Sequence, residues 1–244
     1  PRISNCIISD NYANYRGGGV YNESNVQEDD TKAGEASPSF TNCNFQNNST
    51  NENGGAVYNE GVNGGISSPA FNNCTFTSNS AGYTGGAVNN TGSGTGTSSP
   101  TFTSCTFTSN SSTNDGGAIN SDAYNGATNT PAIISCTFTN NHSDADGGAV
   151  YNYSGGGGTA DAIIDQCTFT GNTAGSDAGA IMNEVYDAGG VSSPTITNCA
   201  FTSNETTSSD GKGGAILNQG YPGTSSPVIT DCQFISNSGD RGGA

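Results

Sequence analysis

The stretch Pro69-Ala70-Phe71-Asn72-Asn73-Cys74-Thr75-Phe76-Thr77-Ser78-Asn79, followed after a short polar run by Gly85-Gly86-Ala87-Val88-Asn89-Asn90, decides the fold. Its segments are too short for helices and rich in residues that suit a pleated, half-buried surface. In the copy just before it, Phe40 faces inward and Thr41 outward by strand alternation. Cys43 and Phe45 also face inward, yet Phe40 and Cys43 are separated by an odd number of positions. That parity break predicts a bend near Asn42. Gly54 and Gly55 allow a second corner, because glycine tolerates positive φ. The Gly- and Ser-rich loop before the next proline supplies a third. Pro38, Pro69 and Pro100 fit strand starts, where a missing N–H does least harm.

The same pattern runs along all 244 residues. Its anchors are Cys6, Cys43, Cys74, Cys105, Cys136, Cys167, Cys199 and Cys232, spaced by about 31 residues except at the first interval. Two residues after each stands Ile8, Phe45, Phe76, Phe107, Phe138, Phe169, Phe201 or Phe234. Five residues after each stands Asn11, Asn48, Asn79, Asn110, Asn141, Asn172, Asn204 or Asn237. The repeats are 1–37, 38–68, 69–99, 100–130, 131–161, 162–193 and 194–226, with a partial repeat over 227–244. The sequence opens on Pro1 and stops within a repeat, so a longer array is expected. Three strands and three corners per repeat predict one coil of an all-β, right-handed parallel β-helix. Stacked at about 4.8 Å, successive coils align equivalent residues in ladders. One coil buries too little to fold alone, as in other solenoids.

Composition limits the function. The formal net charge is −16, with only five Lys and Arg. So acidic a surface repels nucleic-acid phosphates and anionic lipid headgroups. No apolar run reaches the length of a membrane span.

The motif Phe76-Thr77-Ser78-Asn79 with Gly85-Gly86-Ala87-Val88 resembles the FxxN and GGA[ILV] motifs of chlamydial polymorphic outer-membrane proteins. It is also similar to the wider group of bacterial secreted β-helix repeat proteins. The resemblance implies an extracellular or cell-surface location and an autotransporter adhesin, for which a C-terminal outer-membrane barrel would be expected.

The cysteines share one repeat position. A ladder of small buried hydrophobes is therefore expected at Cys43, Cys74, Cys105, Cys136 and Cys167. Parallel side-chain vectors suit a disulfide dihedral poorly, so free thiols are expected. A zinc site lacks its ligands, since His142 is the one histidine and no close cysteine pair exists. The ladder asparagines Asn48, Asn79, Asn110, Asn141 and Asn172 are expected to bond coil to coil at a turn, while Phe45, Phe76, Phe107, Phe138 and Phe169 stack inside. Asn48-Ser49-Thr50 and Asn110-Ser111-Ser112 match glycosylation sequons, but ladder positions would be inaccessible.

Three function classes follow. The leading one is a non-catalytic structural or adhesive rod of a filament or cell-surface stalk. Its partners would be further coils, either of the same chain or docked end to end, or a host surface or carbohydrate. The second is a carbohydrate-active β-helix enzyme. Lyases need basic residues that this chain lacks, and hydrolases need two opposed carboxylates. Asp144 with Asp146, and Asp161 with Asp165, read instead as solvated loop acids. The third is an ice-binding protein. Thr75, Thr77, Thr106, Thr108, Thr137, Thr139, Thr168 and Thr170 would form a flat Thr-x-Thr array, which is also a candidate contact face. No cofactor is expected. Clustered carboxylates suit Ca²⁺ at Glu28, Asp29 and Asp30 in the acidic stretch from Glu23 to Ser37, although their spacing matches no known loop.

Overall fold

The computed structural model describes residues 1–25 and 34–244; Glu28, Asp29 and Asp30 lie outside the described residues. The chain is a parallel β-solenoid, without helices among the described residues. Strands pair in parallel and in register with their equivalents one coil away, as Thr75-Phe76-Thr77 does with Thr106-Phe107-Thr108. Among the described residues, two sheets have eight strands and two have seven. We number the coils from the N-terminus.

Each of the seven full coils has four strands where three were expected. In coil 2 they are Ser39–Thr41, Asn44–Gln46, Ser49–Thr50 and Val57–Val62. The first bend falls where parity placed it, with Asn42 at φ 53°. A second bend of the same kind follows at Asn47, φ 52°, and the equivalents Ser78, Ser109 and Asn140 share it. The arc is thus one five-residue module used twice: three strand residues, one left-handed residue, then a buried side chain that restarts the chain inward. Cysteine is that side chain the first time and asparagine the second.

Inside, Phe45, Phe76, Phe107, Phe138 and Phe169 stack with ring centroids 4.7 Å apart. Phe40, Phe71 and Phe102 form a second stack that Ile133 and Ile164 continue. Cys43, Cys74, Cys105, Cys136, Cys167 and Cys199 are buried between them, while Cys6 is exposed and Cys232 partly so; all eight are free thiols. They also act as polar links. The Cys105 thiol donates to carbonyls of Thr103 and Phe71, and its backbone N–H donates to Cys136 Sγ at 3.3 Å.

The first glycine of each Gly-Gly-Ala triplet takes the left-handed conformation, as at Gly54 (φ 68°) and Gly116 (φ 62°), although coil 6 carries Ala178 there at φ 58°. The second glycine has a different constraint. A Cβ on Gly117 would lie 2.2 Å from the Gly148 carbonyl oxygen of the next coil.

A second buried amide ladder runs inside the fourth sheet. Asn22 donates to Asn59, and Asn59 to Asn90, at 2.9 and 2.8 Å. It resumes from Asn152 to Asn183 and Asn218 at 2.8 and 2.7 Å. Coil 4 interrupts it with Ser121, and Asn152 Oδ1 is left without a partner. The same coil has Asn129 where its neighbours have Ser98 and Ala160, and Asn129 Oδ1 is also unpartnered. Large and small residues have exchanged places across the interior. The paired exchange Ser121→Asn with Asn129→Ser is therefore expected to restore the ladder and stabilise the chain by about 1–2 kcal/mol. Ser121→Asn alone should gain nothing, because Asn129 occupies the space. Urea midpoints of the three chains would check both statements.

Candidate functional site

The outer faces differ in shape. The second sheet presents the threonines as two straight columns, Thr75-Thr106-Thr137-Thr168 and Thr77-Thr108-Thr139-Thr170. Hydroxyls bond along the first, with Thr168 donating to Thr137 at 3.3 Å and Thr75 to Asn44 Oδ1 at 2.9 Å. The array spans four coils.

The fourth sheet is concave. Alternation turns Tyr58, Glu60, Asn89, Thr91, Asn120, Asp122, Tyr151 and Tyr153 outward from strands Val57–Val62, Val88–Ser93, Ile119–Tyr124 and Val150–Gly155. The corner before each glycine triplet forms one wall, adding Arg16, Tyr83 and Asp115. The resulting groove has a volume of about 380 Å³. It was missed from the sequence because its acids occupy two repeat positions in only some coils, Glu60 and Asp122 at one with Thr91 between them, and Asp115 at the other. The available signal was Tyr58 and Glu60 alternating with inward Val57 and Asn59.

Asp115, Asp146 and Asp177 form a carboxylate column along that wall. Asp115 Oδ1 accepts the Asp146 backbone N–H at 3.3 Å, and Asp146 Oδ1 accepts that of Asp177 at 2.9 Å. Asp177 in turn accepts from the Lys212 backbone and Nζ. Asp146 is therefore not the solvated loop acid expected above; it is half-buried and part of this ladder, whereas Asp144 is exposed. On the groove floor, Asp122 accepts a 2.6 Å hydrogen bond from Asn120 Nδ2. Burial, reinforced by the charge of Asp146, pushes the Asp115 carboxyl up to about 7. Burial does the same at Asp122, also to about 7, and raises Asp146 to about 6.

These shifts carry a pH dependence. An unfolded aspartate titrates near 3.9, so between about pH 4 and pH 7 the folded chain keeps protons that the unfolded chain has lost. Stability from this source is full below about pH 4 and is gone once pH passes about 7. Urea midpoints should fall as pH rises from 5 to 8, and Asp122→Asn should flatten the decline.

One cation already sits in the groove. The Arg16 guanidinium donates to both Glu60 carboxylate oxygens at 3.1 and 2.9 Å. It lies over the Tyr58 ring with its central carbon 4.8 Å from the centroid. Tyr21 stacks on Tyr58 at 5.5 Å and donates to Glu60 as well. At the other end Tyr151 donates to Glu184.

The third sheet carries a hydroxyl–imidazole–carboxylate chain, with His142 Nδ1 2.8 Å from Thr173 Oγ1 and Nε2 3.0 Å from Asp144 Oδ1. His142 and Asp144 are respectively 43% and 60% exposed, so water competes for both contacts. Among the described residues, no group of three His, Cys, Asp or Glu side chains could hold a metal ion. Glu23 bonds the Tyr21 hydroxyl, and Glu35 sits in a bridge to Ile66.

Residues 42–60, 104–122, 135–153 and 166–184 match the Chlamydia polymorphic membrane protein repeat. Four coils of this chain are similar to that repeat. Each match runs from the bend before the cysteine to the fourth strand, so it covers the cysteine, phenylalanine and asparagine ladders, the glycine triplet and the groove floor. Coil 3, with Cys74, Phe76 and Asn79, aligns in register between matched polymorphic membrane protein repeats. No match was found among curated proteins or among solved structures. The polymorphic membrane protein repeat is a general pointer to an outer-membrane or cell-surface setting. No helix among the described residues is long and apolar enough to cross a membrane.

Proposed function

We propose that the chain is a non-catalytic adhesive rod, displayed on a cell surface or in an extracellular filament. The observation that carries this reading is the combination of an unbroken in-register solenoid with polymorphic membrane protein repeats in four coils. Such a scaffold holds outer side chains in fixed columns over a long surface, which suits multivalent contact. The acidic exterior keeps a ladder-rich rod soluble.

A glycoside hydrolase is the second reading, favoured by the carboxylates in the groove. Hydrolysis of that kind needs one carboxyl held protonated and its opposite held ionised. Here Asp115 and Asp122 rise together, for the same reason, and Asp115 is engaged as an acceptor in the wall. Their environments do not divide the roles.

Beads coated with the folded chain should adhere to epithelial cell monolayers in a manner that soluble chain competes away. Release of reducing sugar from a panel of neutral and acidic polysaccharides, or beads no stickier than albumin-coated ones, would overturn the proposal.

A further inference from the structure

The chain's negative charge is unevenly placed. Segments 42–48, 73–79, 104–110, 135–141, 166–172 and 198–204 make up the second sheet and its bordering bends in coils 2 to 7, and none contains a charged residue. The other sheets carry carboxylates outward: Asp165 on the first, Glu205 on the third, and Glu60, Asp122 and Glu184 on the fourth. With a net charge of −16, two copies repel each other in most orientations. The second sheet is the face that another copy can cover without setting carboxylate against carboxylate.

The shape of that face suits the same occupant. A free sheet accumulates twist, but here both borders are bonded coil to coil. On one side the Asn73 N–H donates to the Thr103 carbonyl at 2.9 Å, and on the other the Ser78 N–H donates to that of Thr108 at 3.0 Å. The threonine columns therefore run straight along the axis. The Thr75 and Thr168 hydroxyls already donate within their column, to Asn44 and Thr137, so covering them strands neither donor. A second copy has the identical coil spacing, and two such faces stay in step over their whole length, as paired sheets do in a steric zipper. From strand rise and strand spacing, the strip is about 16 Å wide and about 29 Å long. Two copies meeting there bury on the order of 1,000 Å² in all, the lower limit for a specific contact.

We propose that two copies of the chain pair side by side through their second sheets, threonine columns against threonine columns, across a two-fold axis. The contact runs along the rod and adds no coil to either end, so it is separate from end-to-end joining and from whatever the rod adheres to. Its small area makes the pair weak in solution and favours it where rods are crowded on a surface.

Sedimentation equilibrium of the full chain tests it. The weight-average mass should rise from 24.4 kDa toward twice that value between micromolar and millimolar concentration. Added salt should strengthen pairing, because it screens repulsion between the acidic rods while the contact itself holds no ion pair. Thr137→Glu, at an exposed position in the middle of the face, should weaken pairing about tenfold or more, since it buries an unpaired charge in the contact. Thr137→Lys lowers the net charge yet should weaken pairing as much, for the same reason. Asn63→Asp adds a negative charge at the exposed corner after the fourth sheet and should change pairing by no more than about twofold. A chain that stays at 24.4 kDa up to millimolar concentration, pairing that weakens with salt, or equal losses in Thr137→Glu and Asn63→Asp would overturn the proposal. Arrest of ice-crystal growth by a chain that stays monomeric would also overturn it, and would assign the face to ordered water.

Discussion

Replacing Gly117 with alanine is expected to split the solenoid into two cooperative units and to cost about 3 kcal/mol or more, the upper range for forced overpacking. The new methyl would lie 2.2 Å from the Gly148 carbonyl oxygen and 2.6 Å from the backbone carbonyl carbon and oxygen of His142. All three atoms belong to the next coil's main chain, which is held by its own hydrogen bonds and cannot yield as a side chain would. Coils couple only to their neighbours, so a damaged junction between coils 4 and 5 separates the two halves. Circular dichroism during urea unfolding should change from one transition to two. The adjacent Gly116→Ala should behave differently. Ala178 occupies the equivalent left-handed position naturally, so the cost there is that of one strained residue, about 1–2 kcal/mol, with a single transition kept. Equal effects at Gly116 and Gly117 would show that backbone conformation, and not coil-to-coil contact, sets the requirement.

Asn110→Ala should be comparably damaging, by about 3–5 kcal/mol in urea unfolding, from the orphaned groups it leaves. The Asn110 amide makes four bonds in a site closed to water. Nδ2 donates to Asn141 Oδ1 at 2.9 Å and to the Phe76 carbonyl at 3.0 Å. Oδ1 accepts the backbone N–H and the side-chain amide of Asn79, both at 3.0 Å. After truncation, Asn79 Nδ2 still reaches the Phe45 carbonyl and Asn141 Oδ1 still accepts the Asn110 backbone N–H. The Asn79 backbone N–H keeps nothing in this network. Asn73→Ser removes an exposed ladder bond to Asn42 and keeps the residue type that Ser104 and Ser135 place at the equivalent left-handed position, so it should change stability by no more than about 0.5 kcal/mol. A loss that small at Asn110 would mean that water enters the ladder.

The contrast between these asparagines also shows what could be read in advance. Period, parallel register and the inward stacks followed from recurrence, because a solenoid places each repeat position in one physical environment. The bend at Asn42 followed from parity between Phe40 and Cys43. The same test applied to Phe45 and Asn48, also three apart and both buried, would have shown the second bend and the fourth strand. The left-handed position there is filled by Asn47, Ser78, Ser109, Asn140 and Gly171, so no single residue type marked it. The groove was harder to see. Its acids are split between two repeat positions in separate coils, Glu60 in coil 2 and Asp122 in coil 4 at one, interrupted by Thr91, and Asp115 at the other. Only folding brings them to one wall and floor. The loop pair Asp144 and Asp146 looked alike in sequence, yet one is solvated and the other is locked into a column of backbone donors.

The buried amide ladders have a direction. From Asn11 through Asn48, Asn79, Asn110, Asn141, Asn172 and Asn204 to Asn237, each Nδ2 hands its proton to the coil on its C-terminal side. The shorter ladder from Asn22 to Asn90, and again from Asn152 to Asn218, points the same way. Aligned dipoles add instead of cancelling, so the rod is vectorial, with its positive pole toward later coils. Any coil that extends a ladder must meet donors with acceptors. Two like poles would set N–H against N–H, or oxygen against oxygen, inside a dry junction. Rods of this kind can therefore be joined only head to tail, a heterologous arrangement that yields a one-way filament and no closed pair.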